Sequence, residues 1–251
     1  MNVLLVNDDG IGSPSLRLLG RAAKARGHHV LLCAPSTQQS AKSHCFTIAT
    51  PLIARRLDMD CADEAWAVDG TPADCARLGL MALPEEKIDL VISGINAGYN
   101  AGLATFVSGT VGAAREAAFQ GVPAMAASAA VDVPPETLSL FAEWVVTLAE
   151  KLARYPAPEL SVCNVNVPSV PVRELKEPVL CPISRNVYQD SYVRRESPRG
   201  DTYFWLTPEQ PADTPTPGSD IDWLDRGHIT VTFLAPEGCR QEDYRDLLDD
   251  L

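Results

Sequence analysis

Two adjacent carboxylates, Asp8 and Asp9, follow the apolar run Val3-Leu4-Leu5-Val6 and precede Gly10. Neighbouring carboxylates repel, and each unit of pKa displacement corresponds to about 1.4 kcal/mol. A hard divalent cation relieves that repulsion, because carboxylate oxygens suit Mg²⁺, Mn²⁺ or Ca²⁺. A solvated Asp-Asp-Gly turn is the plainer alternative. A second polar cluster, Ser93-Gly94-Ile95-Asn96-Ala97-Gly98-Tyr99-Asn100, follows the apolar Leu90-Val91-Ile92. Its glycines permit positive φ, and Asn96 and Asn100 can offer a carbonyl oxygen to a metal or an amide N–H to a phosphate. A third, Ser108-Gly109-Thr110-Val111-Gly112-Ala113-Ala114, leads into an Ala-rich helix. A helix N-terminus with hydroxyls from Ser108 and Thr110 makes a phosphate site, or simply a capped helix. A fourth, residues 36–47, holds Ser40, Lys42, Ser43 and His44 in a run able to lean over the others. There Lys42 would act as a point charge towards phosphate, whereas a lone His44 is better read as structural.

These clusters need elements to present them. Val3 to Val6 reads as a strand buried on both faces. Ser13 and Pro14 start a helix whose Leu16, Leu19 and Ala23 recur at helical spacing, with Gly27 as the stop. Val30-Leu31-Leu32-Cys33-Ala34 is a second strand and Trp66-Ala67-Val68 a third. Thr71, Pro72 and Asp74 form a capping-box-like helix start. Leu90-Val91-Ile92 is a strand ending at Ser93-Gly94, and a helix runs from Thr110 to about Gln120. Residues 124–128 form a further strand and 136–154 a long amphipathic helix. Alternating strands and helices predict an α/β protein with a Rossmann-like, doubly wound, mostly parallel sheet. All four polar clusters then fall at strand ends on one rim, where such sheets bind ligands.

After about Ser161 the chain becomes dense in proline and carries short aromatic strands such as Tyr203-Phe204-Trp205-Leu206, with Ile229-Thr230-Val231-Thr232-Phe233 alternating like a strand. This predicts one domain over residues 1–251, with a core over 1–160 and an extension of hairpins and loops over 161–251. The acidic stretch 241–251 reads as a surface helix or frayed end.

Composition narrows the function. Lys+Arg 21 against Asp+Glu 33 gives a net charge of -12, which disfavours nucleic-acid polymers and anionic membranes. The charge-free stretch 90–114 is too rich in Gly and Asn for a membrane span. The seven cysteines are odd in number and show no C-x-x-C spacing, so we expect reduced thiols and a cytoplasmic protein. Nothing at the N-terminus reads as a secretory leader.

Asn7-Asp8-Asp9-Gly10, Ala34-Pro35 with Gln39-Ser40, Gly70-Thr71-Pro72-Ala73-Asp74-Cys75, the 93–100 run and the 108–116 run together resemble the SurE family. These stationary-phase survival proteins are metal-dependent nucleoside monophosphate phosphatases. The likeness extends, more loosely, through Asn164-Val165-Asn166-Val167-Pro168 and residues 219–233. It implies a Rossmann-like fold whose C-terminal hairpin and terminal segment mediate a homodimer or homotetramer. It implies one divalent ion per subunit, Mg²⁺ or Mn²⁺, held by Asp8, Asp9, Ser40 and Asn96. Asn100, Ser108, Gly109 and Thr110 would surround the phosphate, and Asp8 or Asp9 would accept the proton of the attacking water. Nucleoside 5′-monophosphates are the implied substrates, with 3′-monophosphates and short polyphosphate as further candidates. The family pattern has Gly after the ligand serine, where this chain has Ala41. If the backbone keeps positive φ there, Ala41 carries strain of about 1 kcal/mol.

Other readings are weaker. An aspartyl-phosphate phosphatase wants Asp-x-Asp after the first strand, but here the pair is adjacent. A receiver-like switch wants an aspartate ending the third core strand, where this chain has Ser93. A nucleotide-sensing protein without turnover is the alternative that phosphate release would separate from an enzyme.

Overall fold

The computed structural model describes residues 1–155, 160–186, 190–207 and 215–236. β1 (Asn2–Val6) is apolar at every residue after the first, and its side chains alternate between two cores. Val3 and Leu5 enter a core with helix α1 (Pro14–Ala25) and helix α4 (Pro135–Leu152). Leu4 and Val6 enter the opposite core, roofed by α2 (Pro72–Met81) and α3 (Gly109–Phe119). That two-sided burial is why the strand reads as continuously hydrophobic.

Between these helices run β2 (His29–Pro35), β3 (Ala54–Leu57), β4 (Glu64–Val68), β5 (Leu90–Ala97), β6 (Ala124–Ala129) and β7 (Val162–Val167). β8 (Lys176–Leu180), β9 (Ser191–Glu196), β10 (Thr202–Thr207), the short helix α5 (Asp220–Asp225) and β11 (His228–Leu234) follow. The main sheet has nine strands in the order β3-β4-β2-β1-β5-β6-β7-β11-β8. Its central strands pair in parallel; β3 is antiparallel to β4, and β11 is antiparallel to β7. The chain leaves β1 towards β2 on one side and later fills β5 on the other. The crevice at this reversal is bounded by the turns after β1 and β5.

The architecture is the Rossmann-like α/β fold expected, with local differences. Ser13 occupies the cap position of α1, but its side chain makes no capping hydrogen bond. β3 was not legible: its Ala-Arg-Arg-Leu carries charge because it is an exposed sheet edge. β5 does not stop at Gly94. Gly94 has φ +137, and a Cβ there would collide with the Ala127 carbonyl, so only glycine lets the strand slip register and continue to Ala97. A helical turn over Gly102–Phe106 interrupts the loop before α3. Ser161 does not mark the edge of the sheet, because β7, β11 and β8 extend it. Only β9 and β10 stand apart, as an antiparallel hairpin. Tyr188 and the stretch 241–251 lie outside the described residues. Among the described residues no helix is long and apolar enough to cross a membrane.

Candidate active site

The turn after β1 is built around Asn7, which is fully buried. Its side chain donates to the Gly10 carbonyl at 3.0 Å and accepts from the Gly10 N–H at 3.1 Å. This closes a tight loop and turns Asp8 and Asp9 outward at the carboxyl end of the sheet. Gly10, at φ +98, supplies the left-handed corner beneath the Pro35 carbonyl.

Asp8 is 5% exposed. Its Oδ1 accepts a 2.7 Å hydrogen bond from the Thr110 hydroxyl in the first turn of α3. Asp9 is half-buried; its Oδ2 accepts from the Ala97 N–H at 3.2 Å, and Oδ1 meets only a long 3.5 Å contact from Gln38. Burial pushes the Asp8 carboxyl up, opposed by the Thr110 hydrogen bond and assisted by the charge of Asp9. Burial likewise raises Asp9, opposed by the Ala97 N–H. Two neighbouring acids both hindered from ionising form a place that asks for positive charge.

Asn96, at the end of β5, donates its amide to the Gly98 carbonyl at 2.8 Å. That bond fixes the flip of the side chain and leaves Oδ1 as a neutral oxygen donor. Ser40 lies on the loop over residues 36–47, which is tied down where the Gln39 N–H donates to the Asp8 carbonyl at 2.7 Å. Ser40 itself is exposed, and no hydrogen bond among the described residues engages it. Ala41 has φ +57 and Ser43 φ +52, so the strain expected at Ala41 is present.

The anchors of this loop explain its other polar residues. Ser43 donates from its N–H to Val107 and from its hydroxyl to Phe106. His44 Nε2 meets Glu116 Oε2 at 2.9 Å, and the same buried carboxylate accepts from Arg77 at 2.8 Å. His44 is therefore structural, clamping the loop to α3. Thr47 is held by Asp74 through two hydrogen bonds. Gly112 permits the contact, since a Cβ there would strike the Ser43 carbonyl. Lys42 stays exposed on the span between Gln39 and Ser43.

The α3 N-terminus meets Asp8 directly. Ser108 caps the helix by accepting from the Val111 N–H at 3.1 Å. A Cβ on Gly109 would lie 3.0 Å from the Asp8 Cβ and 3.0 Å from Pro72, so glycine keeps that approach open. Two side chains expected around the phosphate have partners within the protein. The Thr110 hydroxyl does not point its hydrogen at an open phosphate position, because it donates to Asp8. The Asn100 amide is likewise engaged: it donates to the Ser128 hydroxyl at 2.8 Å. Asn100 is instead the hub of a buried network, with its N–H on Asn166 and its carbonyl accepting from both Asn164 and Asn166. The sequence signal for this network was the Asn-Val-Asn alternation of β7, which places both amides on one face.

Asp8, Asp9, Asn96 and Ser40 offer oxygens only, the donor chemistry of a hard cation. Among the described residues no three His, Cys, Asp or Glu side chains form a metal-holding group, so neutral oxygens have to complete any shell. The donor set thus fits Mg²⁺ or Mn²⁺ and does not suit Zn²⁺ bound by sulfur or imidazole.

A doubly wound, mostly parallel α/β sheet with a buried and a half-buried acid at its switch point, beside a helix N-terminus, defines a Rossmann-like α/β protein. The chain belongs to the SurE family: the family model described as survival protein SurE matches residues 3–190. It is 42% identical to the 5′-nucleotidase SurE of Maridesulfovibrio salexigens, over 93% of this chain and 92% of that protein. It is 43% identical to the 5′-nucleotidase SurE of Solidesulfovibrio magneticus, over 94% of this chain and 92% of that protein. The crystal structure of the SurE protein from Aquifex aeolicus superposes with a TM-score of 0.81 at 32% identity, covering 100% of both chains.

Proposed function

We propose that this protein is a 5′-nucleotidase that hydrolyses nucleoside 5′-monophosphates to nucleoside and phosphate with the help of a divalent cation. The observation that carries the reading is the Asp8-Asp9 pair, raised in pKa by burial and set against the N-terminus of α3. The relatives named 5′-nucleotidase support the substrate class. Asp8, Asp9, Ser40 and Asn96 would hold Mg²⁺ or Mn²⁺, which when bound offsets the phosphate's charge and acidifies a water.

The chain's own residues divide the remaining work. Ser108, Gly109 and Thr110, at the N-terminal turn of α3, would lie around the equatorial phosphate oxygens, where the positive end of the helix favours negative charge. The Thr110 hydroxyl orients Asp8 and favours its ionised form through its 2.7 Å bond. Asp9 is the better proton acceptor, because its Oδ1 carries only the long Gln38 contact. Lys42 adds positive charge at the rim of an otherwise acidic protein. His44 is bound to Glu116 and takes no proton in the reaction.

The subunit works as a homodimer or homotetramer. Hairpin β9–β10 exposes Tyr192, Tyr203, Phe204, Trp205 and Leu206, and a lone two-stranded hairpin is marginal in water. A neighbouring copy covers it. The free thiols of Cys33, Cys45, Cys61, Cys75, Cys163 and Cys181 suit a reducing compartment such as the cytoplasm.

Phosphate release from a panel of nucleoside 5′- and 3′-monophosphates and short polyphosphate, assayed with Mg²⁺, Mn²⁺ or EDTA, tests the reading. Metal-dependent release from 5′-monophosphates is expected. Tight nucleotide binding with no release under any metal would favour a sensing protein instead.

A further inference from the structure

Asp220 is a carboxylate with no exposed surface, and among the described residues it forms no ion pair. It is the first residue of α5, and it is satisfied by backbone alone. Its Oδ2 accepts from the Gly102 N–H at 2.7 Å, and its Oδ1 from Ser184 and Ile221, each at 2.8 Å. Three hydrogen bonds to N–H groups from separate segments are what a buried carboxylate requires in place of water.

The three segments have different duties. Gly102 belongs to the loop between Asn96 and Ser108, which links one side of the site to the cap of α3. Ser184 belongs to a neck of irregular backbone, residues 181–186, that precedes hairpin β9–β10 in the chain. The two arms of that neck are joined where Asn186 accepts from the Thr216 N–H at 3.1 Å and the Asp220 N–H donates to Pro182 at 2.9 Å. Gly102 has φ +54, and a Cβ there would lie 3.1 Å from Ile221 and 3.2 Å from the Ser184 carbonyl. The site loop therefore rests backbone-on-backbone against the hairpin neck. Two residues earlier the same loop is gripped from beneath, through the Asn100 network on β6 and β7.

We infer that Asp220 is a positioning residue for the hydrolytic site: it locks the loop that delivers Ser108 and the α3 N-terminus to the backbone at Ser184 and Ile221, and so holds the phosphate cradle in place. The inference rests on the hydrolytic reading for its kinetic consequence but not for its structural one. Asp8, Asp9 and Asn96 lie outside the locked loop, and Thr110 is tied to Asp8 by its own 2.7 Å bond, so the effect falls on substrate more than on cation.

The test compares wild type with Asp220→Asn, using Asp222→Asn on the same helix as a control. Asparagine keeps the size of the side chain but turns an NH₂ towards one of the N–H donors. Three measurements are needed on each protein: kcat and KM for a nucleoside 5′-monophosphate per folded molecule, Mn²⁺ affinity by calorimetry, and amide hydrogen exchange over residues 98–108. For Asp220→Asn, we expect faster exchange in that segment, a fall in kcat/KM of about tenfold or more, and Mn²⁺ affinity within about twofold of wild type. Asp222, which caps Gly218 and pairs with Arg226, should be replaceable without these effects. Faster exchange with unchanged kcat/KM would make Asp220 a structural staple and overturn the inference, as would unchanged exchange. If wild type itself releases no phosphate, the hydrolytic reading fails; exchange confined to residues 98–108, with weakened binding of a nucleoside monophosphate, would then still uphold Asp220. If Asp220→Asn does not fold, Gly102→Ala, which crowds the same contact at Ile221 and the Ser184 carbonyl, replaces it with the same expected outcomes.

Discussion

The hydroxyl of Thr110 reaches across from α3 and donates to Asp8 at 2.7 Å, joining residues 102 positions apart in sequence. This bond opposes the upward push that burial gives the Asp8 carboxyl. It makes Thr110 part of the acidic site and not only of the phosphate cradle.

Thr110→Val keeps the shape and branching but deletes the donor. We expect weaker Mn²⁺ binding and a fall in kcat/KM of roughly ten- to a hundred-fold, since a hydrogen bond to a charged group is worth about 1.5–3 kcal/mol. Calorimetric metal titration beside steady-state kinetics checks this. Unaltered metal affinity would show that the bond is incidental to cation binding.

Asp9→Ala and Asn96→Ala should each remove most activity while leaving the fold intact, because both side chains lie at strand ends facing the crevice. Circular dichroism and thermal melting verify folding. Wild-type turnover by a folded Asp9→Ala protein would exclude Asp9 from the site.

The raised Asp8 and Asp9 set the direction of a pH effect. A carboxyl whose folded-state pKa lies above its unfolded value favours folding at low pH, and that contribution is lost as pH rises through the folded pKa. Metal-free protein at neutral pH therefore bears the cost of the ionised pair. Mg²⁺ or Mn²⁺ should raise the melting temperature more at pH 7.5 than at pH 5, where protons compete for the same oxygens. Equal increments at the two pH values would contradict cation binding by these carboxylates.

Ala41 sits at φ +57 without the freedom of glycine. Ala41→Gly should stabilise the protein by about 1 kcal/mol through relief of that strain. Differential scanning calorimetry measures it, and a lowered melting temperature would mean that the angle is not strained.

The exposed aromatic residues on the two faces of β10 give the assembly a handle. Trp205→Ser with Phe204→Ser should shift the solution mass from oligomer towards monomer at micromolar concentration, read by light scattering. A wild-type protein that is already monomeric would refute the homo-oligomer.

Most of the parallel core was readable because two-sided burial writes uninterrupted apolar runs, as at Val3 to Val6 and Val30 to Ala34. The capping box of α2 was readable for a local reason: Thr71 and Asp74 satisfy each other's N–H groups within one turn. What stayed hidden depends on distant partners. β5 outruns its apolar stretch because Gly94 passes under the Ala127 carbonyl, a fact about β6. Edge strand β3 carries arginines precluding a hydrophobic signal. The placing of Asp8, Asp9 and Asn96 at strand ends was legible, but the partners of Thr110 and Asn100 within the protein were not. Whether a hydroxyl or amide faces a ligand or a neighbour is decided by residues such as Ser128 and Asn166, far along the chain.

The Asp220 contact also fixes when the protein becomes whole during synthesis. The acidic turn is made by residue 10, yet its loop is gripped by Asn166 and finally pinned by Asp220. A chain halted anywhere before that point has the acids in place without the frame that aims them. The loop after β5 thus waits for a carboxylate made 118 positions after Gly102, and this contact forms only once Asp220 has been synthesised.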